Sequence, residues 1–315
     1  MSHRVRLQSD LSDRKIARKL YLNKQQVLAM IDRILATGRT FLGNLRATAQ
    51  QFNKSDGWAM SSHVALSLMM SIFPFLIFAA SLAGFLGNEI RWRDIVDLVF
   101  EYWPEKAAEP ITREIDVVLT KGHAGFLTLG IGLALLFASN GVEAVRVALN
   151  RAYQEHDQRS FWKQRLQSLL FVVVGSLLLL AVSVLLVFAP LYVSFIEHAS
   201  PTIYDRFFGS GSLRLSTTLI LLVFVVYACH CWLPVRRRRF RQIWPGIALT
   251  LVLWTIAARF FSEYLQLFAD YSATYAGLAG IMTAQIFLYL MAVILILGAE
   301  YNAARERANL VRSVE

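Results

Sequence analysis

Residues 57–88 read GWAMSSHVALSLMMSIFPFLIFAASLAGFLGN, without a single Asp, Glu, Lys or Arg. About 20 mostly apolar residues carry a helix across the hydrocarbon of a bilayer, and one charge at its centre costs about 2.5–3.5 kcal/mol on insertion scales. This stretch is long enough to span. Five further charge-free runs follow at 122–142, 166–196, 215–235, 242–258 and 271–299, of which 242–258 is near the lower length limit. The expectation is an all-α polytopic membrane protein. It divides into a cytoplasmic amphipathic helical segment at 1–56, a six-helix transmembrane bundle within 57–303 and a cytoplasmic tail at 304–315.

Composition agrees. Apolar residues make up 56% and charged residues 17%, where soluble domains carry roughly a quarter charged, and the mean hydropathy is +0.46. The net charge of +10 in such a chain reports topology and anionic headgroups before nucleic acid. Lys and Arg alternate between the runs: 24 of the 32 fall on the side of the N-terminus and 8 on the other. The positive-inside rule then puts both termini, residues 143–165 and the turn at 236–241 in the cytoplasm, with 89–121, 197–214 and 259–270 outside.

Residues 13–52 place Ile16, Leu20, Val27, Met30, Ile31, Ile34 and Leu35 at helical spacing among basic residues. This reads as an amphipathic helix, lying along the inner headgroups, packing under the bundle or docking a partner protein. Outside, 91–103 and 107–119 are expected to form two short helices capping the bundle. Residues 1–20 hold six basic side chains and no apolar run of signal-peptide length. Cys229 and Cys231 lie in an apolar run, and small apolar filling is their expected role.

The chemistry-bearing residues are scattered. His3, His63, His123, His156, His198 and His230 occur in no metal-binding spacing, and neither a Walker-type phosphate loop nor a Gly-x-Ser-x-Gly elbow occurs. No enzyme activity, cofactor or metal is therefore expected. His63 sits inside the first run and is a candidate for a polar cavity, or a neutral histidine bonded to a neighbouring helix. Pro74 removes a backbone donor and is expected to kink that helix, as a hinge or a fixed bend.

At 100° per residue, Ser139, Asn140, Glu143, Arg146 and Asn150 share one face of a helix continuing past the second run. They form either a solvated stripe or the lining of a cytoplasmic cavity mouth. Glu300 ends the sixth run at the same expected depth, and Arg146 or Arg151 is its expected partner. Arg236, Arg237, Arg238, Arg239 and Arg241 crowd one short turn, where they hold the topology and bind anionic headgroups, in general or at a specific phosphate site. Pro245 in Trp244-Pro245-Gly246 is expected near the first turn of the next helix. Small residues at every fourth position, Gly130-Ala134-Ala138 and Ala276-Gly280-Ala284, predict close helix packing.

Several of these stretches together resemble the YihY/BrkB family of bacterial inner-membrane proteins, many of which carry the label ribonuclease BN. The resemblance rests on Ser67–Phe75 with its Ser-Ile-Phe-Pro core, on Ala138–Tyr153 ending Ala-Leu-Asn-Arg-Ala-Tyr, and on Leu233-Pro234 with the arginine turn and Trp244-Pro245-Gly246. It is completed by Tyr271–Ala279 and Leu297-Gly298-Ala299-Glu300-Tyr301-Asn302-Ala303. Ser61-Ser62-His63-Val64 departs from the family's Ala-Tyr-rich start. The resemblance implies a six-helix inner-membrane bundle and no established reaction, the nuclease label being inherited and a role in envelope lipid transport or serum resistance being proposed for some members. The expected function is movement of an amphipathic anionic molecule such as a lipid, with membrane lipids and cytoplasmic-side anionic headgroups as partners and no nucleic acid. The alternatives are a membrane ribonuclease acting on tRNA and a non-transporting scaffold for envelope assembly.

Overall fold

The computed structural model describes residues 43–86, 96–97, 100, 103–106, 108–109, 112–113, 127–187, 212–267 and 276–314. Its contacts divide the chain into two units, up to Ala49 and from Gln50. The first is described only over 43–49, which are helical, so the amphipathic pattern at 13–42 lies outside the described residues. The second contains six long helices: α1 Gly57–Leu86, α2 Leu127–Ala152, α3 Phe161–Val187, α4 Ser212–Trp232, α5 Phe240–Leu267 and α6 Ala276–Val314. No strand occurs among the described residues.

Five of these helices carry segments long and apolar enough to cross a membrane: Gly57–Ala79, Gly132–Ala152, Phe161–Val182, Phe240–Leu265 and Gly280–Leu310. The sixth, α4, has a shorter apolar stretch, Leu219–Trp232, within a helix of 21 residues, about 30 Å at 1.5 Å per residue. Their apolar side chains divide in two. Leu66, Met70, Leu133, Leu170, Leu177, Ile220, Phe260 and Ile286 are exposed on the outside of the bundle, as expected where hydrocarbon is the solvent. The inward set, including Val64, Val145, Leu149, Val226, Ile247 and Ile296, forms one core.

α1 packs most extensively on α2, while α6 lies against both α1 and α5. The α1–α2 pairing depends on small groups. A Cβ at Gly141 would sit 3.0 Å from Ser71 Oγ and 3.1 Å from Leu68, and the Ser71 hydroxyl donates to the Phe137 carbonyl of α2 at 3.1 Å. Of the two small-residue stripes, Ala134, Ala138 and Ala284 are buried and Gly280 is half-buried. α1 is helical through Pro74. Pro245 is the sixth residue of α5, not in its first turn, so the freed backbone groups beside it lie inside the helix and need partners from elsewhere. Between α1 and α2, Val96, Phe100 and Ala108 are buried in a cluster with Leu76, Leu180 and Ala284, and Trp103 packs on Phe287 at 4.9 Å between ring centroids.

Candidate functional site

The chemistry-bearing side chains collect at the end of the bundle where α2 and α6 run out and α3 and α5 begin. α2 stops in a helix-ending turn: Glu155 N–H reaches the Asn150 carbonyl at 2.8 Å and Gln154 N–H reaches that of Arg151 at 3.0 Å. Gln154 occupies the left-handed conformation, φ 59°, which such a motif usually gives to glycine. This turn throws Glu155 and Asp157 back toward the arginines that follow α4.

Arg146 is 2% exposed. Its guanidinium donates to Asp157, to Gln164 Oε1 at 3.0 Å and to Glu143 at 3.5 Å. Arg159 holds the same aspartate through Nε to Oδ1 at 2.8 Å and Nη2 to Oδ2 at 2.7 Å. These bonds, the Arg159 pair first among them, hold the Asp157 carboxyl below its ordinary value, at about 2. Asn150 is buried too: its amide donates to Asp157 at 3.3 Å and accepts the Val235 N–H at 2.9 Å. Arg165 pairs with Glu143 at 2.9 Å and with Asn140 at 2.8 Å.

The second half of the network is centred on Arg238, also buried. It donates to Glu155 at 2.7 Å and to Glu306 at 3.2 Å, and its guanidinium carbon lies 3.7 Å above the centre of the Tyr153 ring, a cation–π contact. The Tyr153 hydroxyl is 2.8 Å from His230 Nδ1 and accepts from Asn302 Nδ2 at 3.4 Å. Burial pushes that hydroxyl well above its usual range, so it stays a neutral donor. Asn302 in turn accepts the Gly246 N–H at 2.7 Å and donates to the Ile243 carbonyl at 2.9 Å, serving the backbone groups that flank Pro245.

The expected site residues thus separate. Glu143, Arg146 and Asn150 join one network and Asn140 joins its rim, whereas His63 is exposed on α1. Glu300 is fully buried, but its partner is neither Arg146 nor Arg151: Oε1 accepts from Ser55 at 2.6 Å, and Oε2 has no hydrogen-bond partner among the described residues. Arg151 pairs with Asp56, the next residue along, so the ends of α2 and α6 meet through the 55–56 turn. Of the five turn arginines, Arg238 is consumed by internal pairing and Arg236 is half-engaged with Glu306 at 3.4 Å. Arg237, Arg239 and Arg241 are exposed, as are the rings of Phe240 and Trp244, whose centroids lie 5.2 Å apart with a tilt of 36°. Glu155, Asp157, Arg159 and Glu306 were not singled out from the sequence. Tyr153 and Asn302 stand in the family-like stretches but carried no assigned role.

Inside the bundle lies a separate cavity of about 740 Å³. Its wall is apolar, with Val64, Leu68, Val145, Val226, Met291 and Leu295 from four helices, and Arg259, Thr255 and Ser262 of α5 line its other part. None of His63, Glu143, Arg146 or Glu300 lines it.

Five helices long and apolar enough to cross a membrane, with a sixth shorter one and a charged end, define a polytopic helical membrane protein. The model of the family described as virulence factor BrkB matches residues 48–314, and the chain belongs to that family. It is 31% identical over 268 residues to the ribonuclease-like protein YfkH of Bacillus subtilis (strain 168), covering 82% of this chain and 94% of that one. UPF0761 membrane proteins are also similar. That of Tolumonas auensis is 24% identical, over 81% of this chain and 82% of its own length. That of Kangiella koreensis is 22% identical over 79% of this chain, which spans 60% of that relative. No solved structure matches the chain.

Proposed function

We propose that this protein sits in the bacterial inner membrane with both termini in the cytoplasm and moves an amphipathic anionic molecule, such as a lipid, between the two sides of the bilayer. The observation that carries this reading is the 740 Å³ cavity with its apolar wall and one guanidinium, Arg259. Clefts of roughly 300–1,000 Å³ are the size that holds a small ligand. Hydrocarbon walls suit an acyl chain. Arg259 makes no hydrogen bond or ion pair with a described residue, and at the end of a span an uncompensated guanidinium attracts phosphate or carboxylate. The distribution of Lys and Arg supports the orientation.

The reading is tested in proteoliposomes by the loss of inner-leaflet protection of fluorescent phosphatidylglycerol and phosphatidylcholine from a membrane-impermeant reductant. Faster equilibration of the anionic lipid, slowed by Arg259→Gln, is the expected result; rates equal to those of protein-free vesicles overturn it. The same preparation answers the nuclease reading suggested by the name of YfkH. The described residues contain no group of three His, Cys, Asp or Glu able to hold a metal. Cleavage of precursor tRNA with divalent metal, abolished by one carboxylate or histidine substitution, would replace the transport reading.

A further inference from the structure

We infer that the first turn of α5 and the last turns of α6 form a binding site for a phosphate group, built around Arg241 and Arg305. A cleft of about 290 Å³ is lined by Arg236, Arg241, Gln242, Arg305, Glu306 and Asn309. Gln242 Oε1 accepts the Arg239 N–H at 2.8 Å, leaving its amide nitrogen as the donor. The lining, which Leu310 completes, thus holds three arginines, two side-chain amides and one carboxylate. That carboxylate is already spent: Glu306 Oε1 is 3.4 Å from Arg236, and its Oε2 accepts from Arg238 at 3.2 Å. Arg241 and Arg305 make no hydrogen bond or ion pair with a described residue.

Two unpaired forks beside neutral amide donors match a group with several oxygens and a negative charge, which is the geometry of a phosphate ester or free phosphate. Helix geometry reinforces the arrangement. Arg305 and Asn309 are four residues apart on α6, hence on one face, while Arg241 and Gln242 stand at the N-terminal end of α5, where the backbone dipole favours an anion. The site is distinct from the intramembrane cavity, and shares no lining residue with it. It also differs from the arginine turn read as a unit: Arg238 is consumed internally, Arg237 and Arg239 are outside the cleft, and Arg305 comes from another helix. The phosphate is that of a lipid headgroup or a free phosphate, and the two sources are separable.

The experiment uses the full chain purified in a neutral detergent. In one arm thermal melting is followed with inorganic phosphate against chloride at equal ionic strength. In the other, retention on vesicles of phosphatidylcholine is compared with and without phosphatidylglycerol. Neither arm measures transport, so the inference stands or falls apart from the proposed function. Phosphate binding points to a free anion, and phosphatidylglycerol dependence alone points to a headgroup. In whichever arm responds, Arg241→Gln and Arg305→Gln should each weaken the response about tenfold or more, with Arg305→Lys intermediate and Arg237→Gln and Arg239→Gln near wild type. If Arg305→Gln fails to fold, the exposed Arg241 carries the comparison. No response in either arm overturns the inference, as does an equal loss in the Arg237 and Arg239 variants, which would mean diffuse attraction only.

Discussion

Asn302 of α6 accepts the backbone N–H of Gly246 in α5 at 2.7 Å. The same side chain gives a hydrogen to the Ile243 carbonyl at 2.9 Å, so one amide patches the helix on both sides of Pro245. A proline inside a helix strands the carbonyl four residues before it, here that of Arg241, so the Asn302 bonds to Gly246 and Ile243 act as a tie between α6 and α5 around the ring. Asn302→Ala is therefore expected to lower stability by about 2–4 kcal/mol, since each buried polar group left without a partner costs about 1–3 kcal/mol. Thermal unfolding in detergent checks this, and a loss under about 0.5 kcal/mol would mean that water replaces the amide.

Gly246 also sets the distance between the two helices. A Cβ there would run into the Gly298 carbonyl and the Asn302 amide, whereas one at Gly175 of α3 meets nothing within 4 Å. Gly246→Ala should cost about 1–3 kcal/mol, as overpacking does, while Gly175→Ala should leave the melting temperature unchanged or slightly higher. Equal effects of the two substitutions would dissociate the glycine from the packing.

Glu300 provides a test by coupling. Its hydrogen bond goes to Ser55 at 2.6 Å, and Arg146 is engaged by Asp157. In double-mutant cycles on thermal stability, Ser55→Ala with Glu300→Gln should couple by about 0.5–1.5 kcal/mol, the range of one hydrogen bond. Glu300→Gln with Arg146→Gln should be additive. The reverse pattern would restore the direct tie between these two residues.

Acid should loosen the α2–α3 turn in a defined window. Asp157 is lowered from 3.8 to about 2, chiefly by the Arg159 hydrogen bonds. A depressed carboxylate contributes stability that is fully present above its unfolded-state value and lost as pH falls through the folded one. The loss attributable to this group therefore falls between about pH 4 and pH 2. Asp157→Asn should be less stable than wild type at neutral pH, and the gap between the two should narrow across that window.

Membrane orientation is checked by cysteine labelling in intact cells. Arg237 is the site to probe, because it is exposed where Arg238 is buried. A cysteine at Arg237 in a background lacking Cys229 and Cys231 should resist an impermeant reagent applied from outside and react after permeabilisation. Labelling from outside would reverse the proposed topology.

The all-helical membrane class was legible from the sequence because hydrocarbon imposes a one-dimensional rule, a charge-free run of sufficient length being able to cross wherever its neighbours lie, whereas the helix bounds were not: the second apolar segment runs Gly132–Ala152 where 122–142 was expected. Glu143, Arg146 and Asn150 were likewise visible as one helix face, since that depends only on 100° per residue. Their partners were not, because Asp157 and Arg159 reach Arg146 through the turn after α2, and a turn's path is set by its φ values and by what it packs on. The same limit applies to Glu300, whose placement at the level of Arg146 suggested a pair while Ser55 took the bond. Trp244-Pro245-Gly246 and Leu297–Ala303 stood out separately as motifs, yet only the tertiary structure showed that Asn302 ties α6 to the backbone on both sides of Pro245 and that Gly246 meets Gly298. A hydrogen bond depends on ångström-scale distances between helices far apart in the chain, and helical periodicity carries no information about those distances.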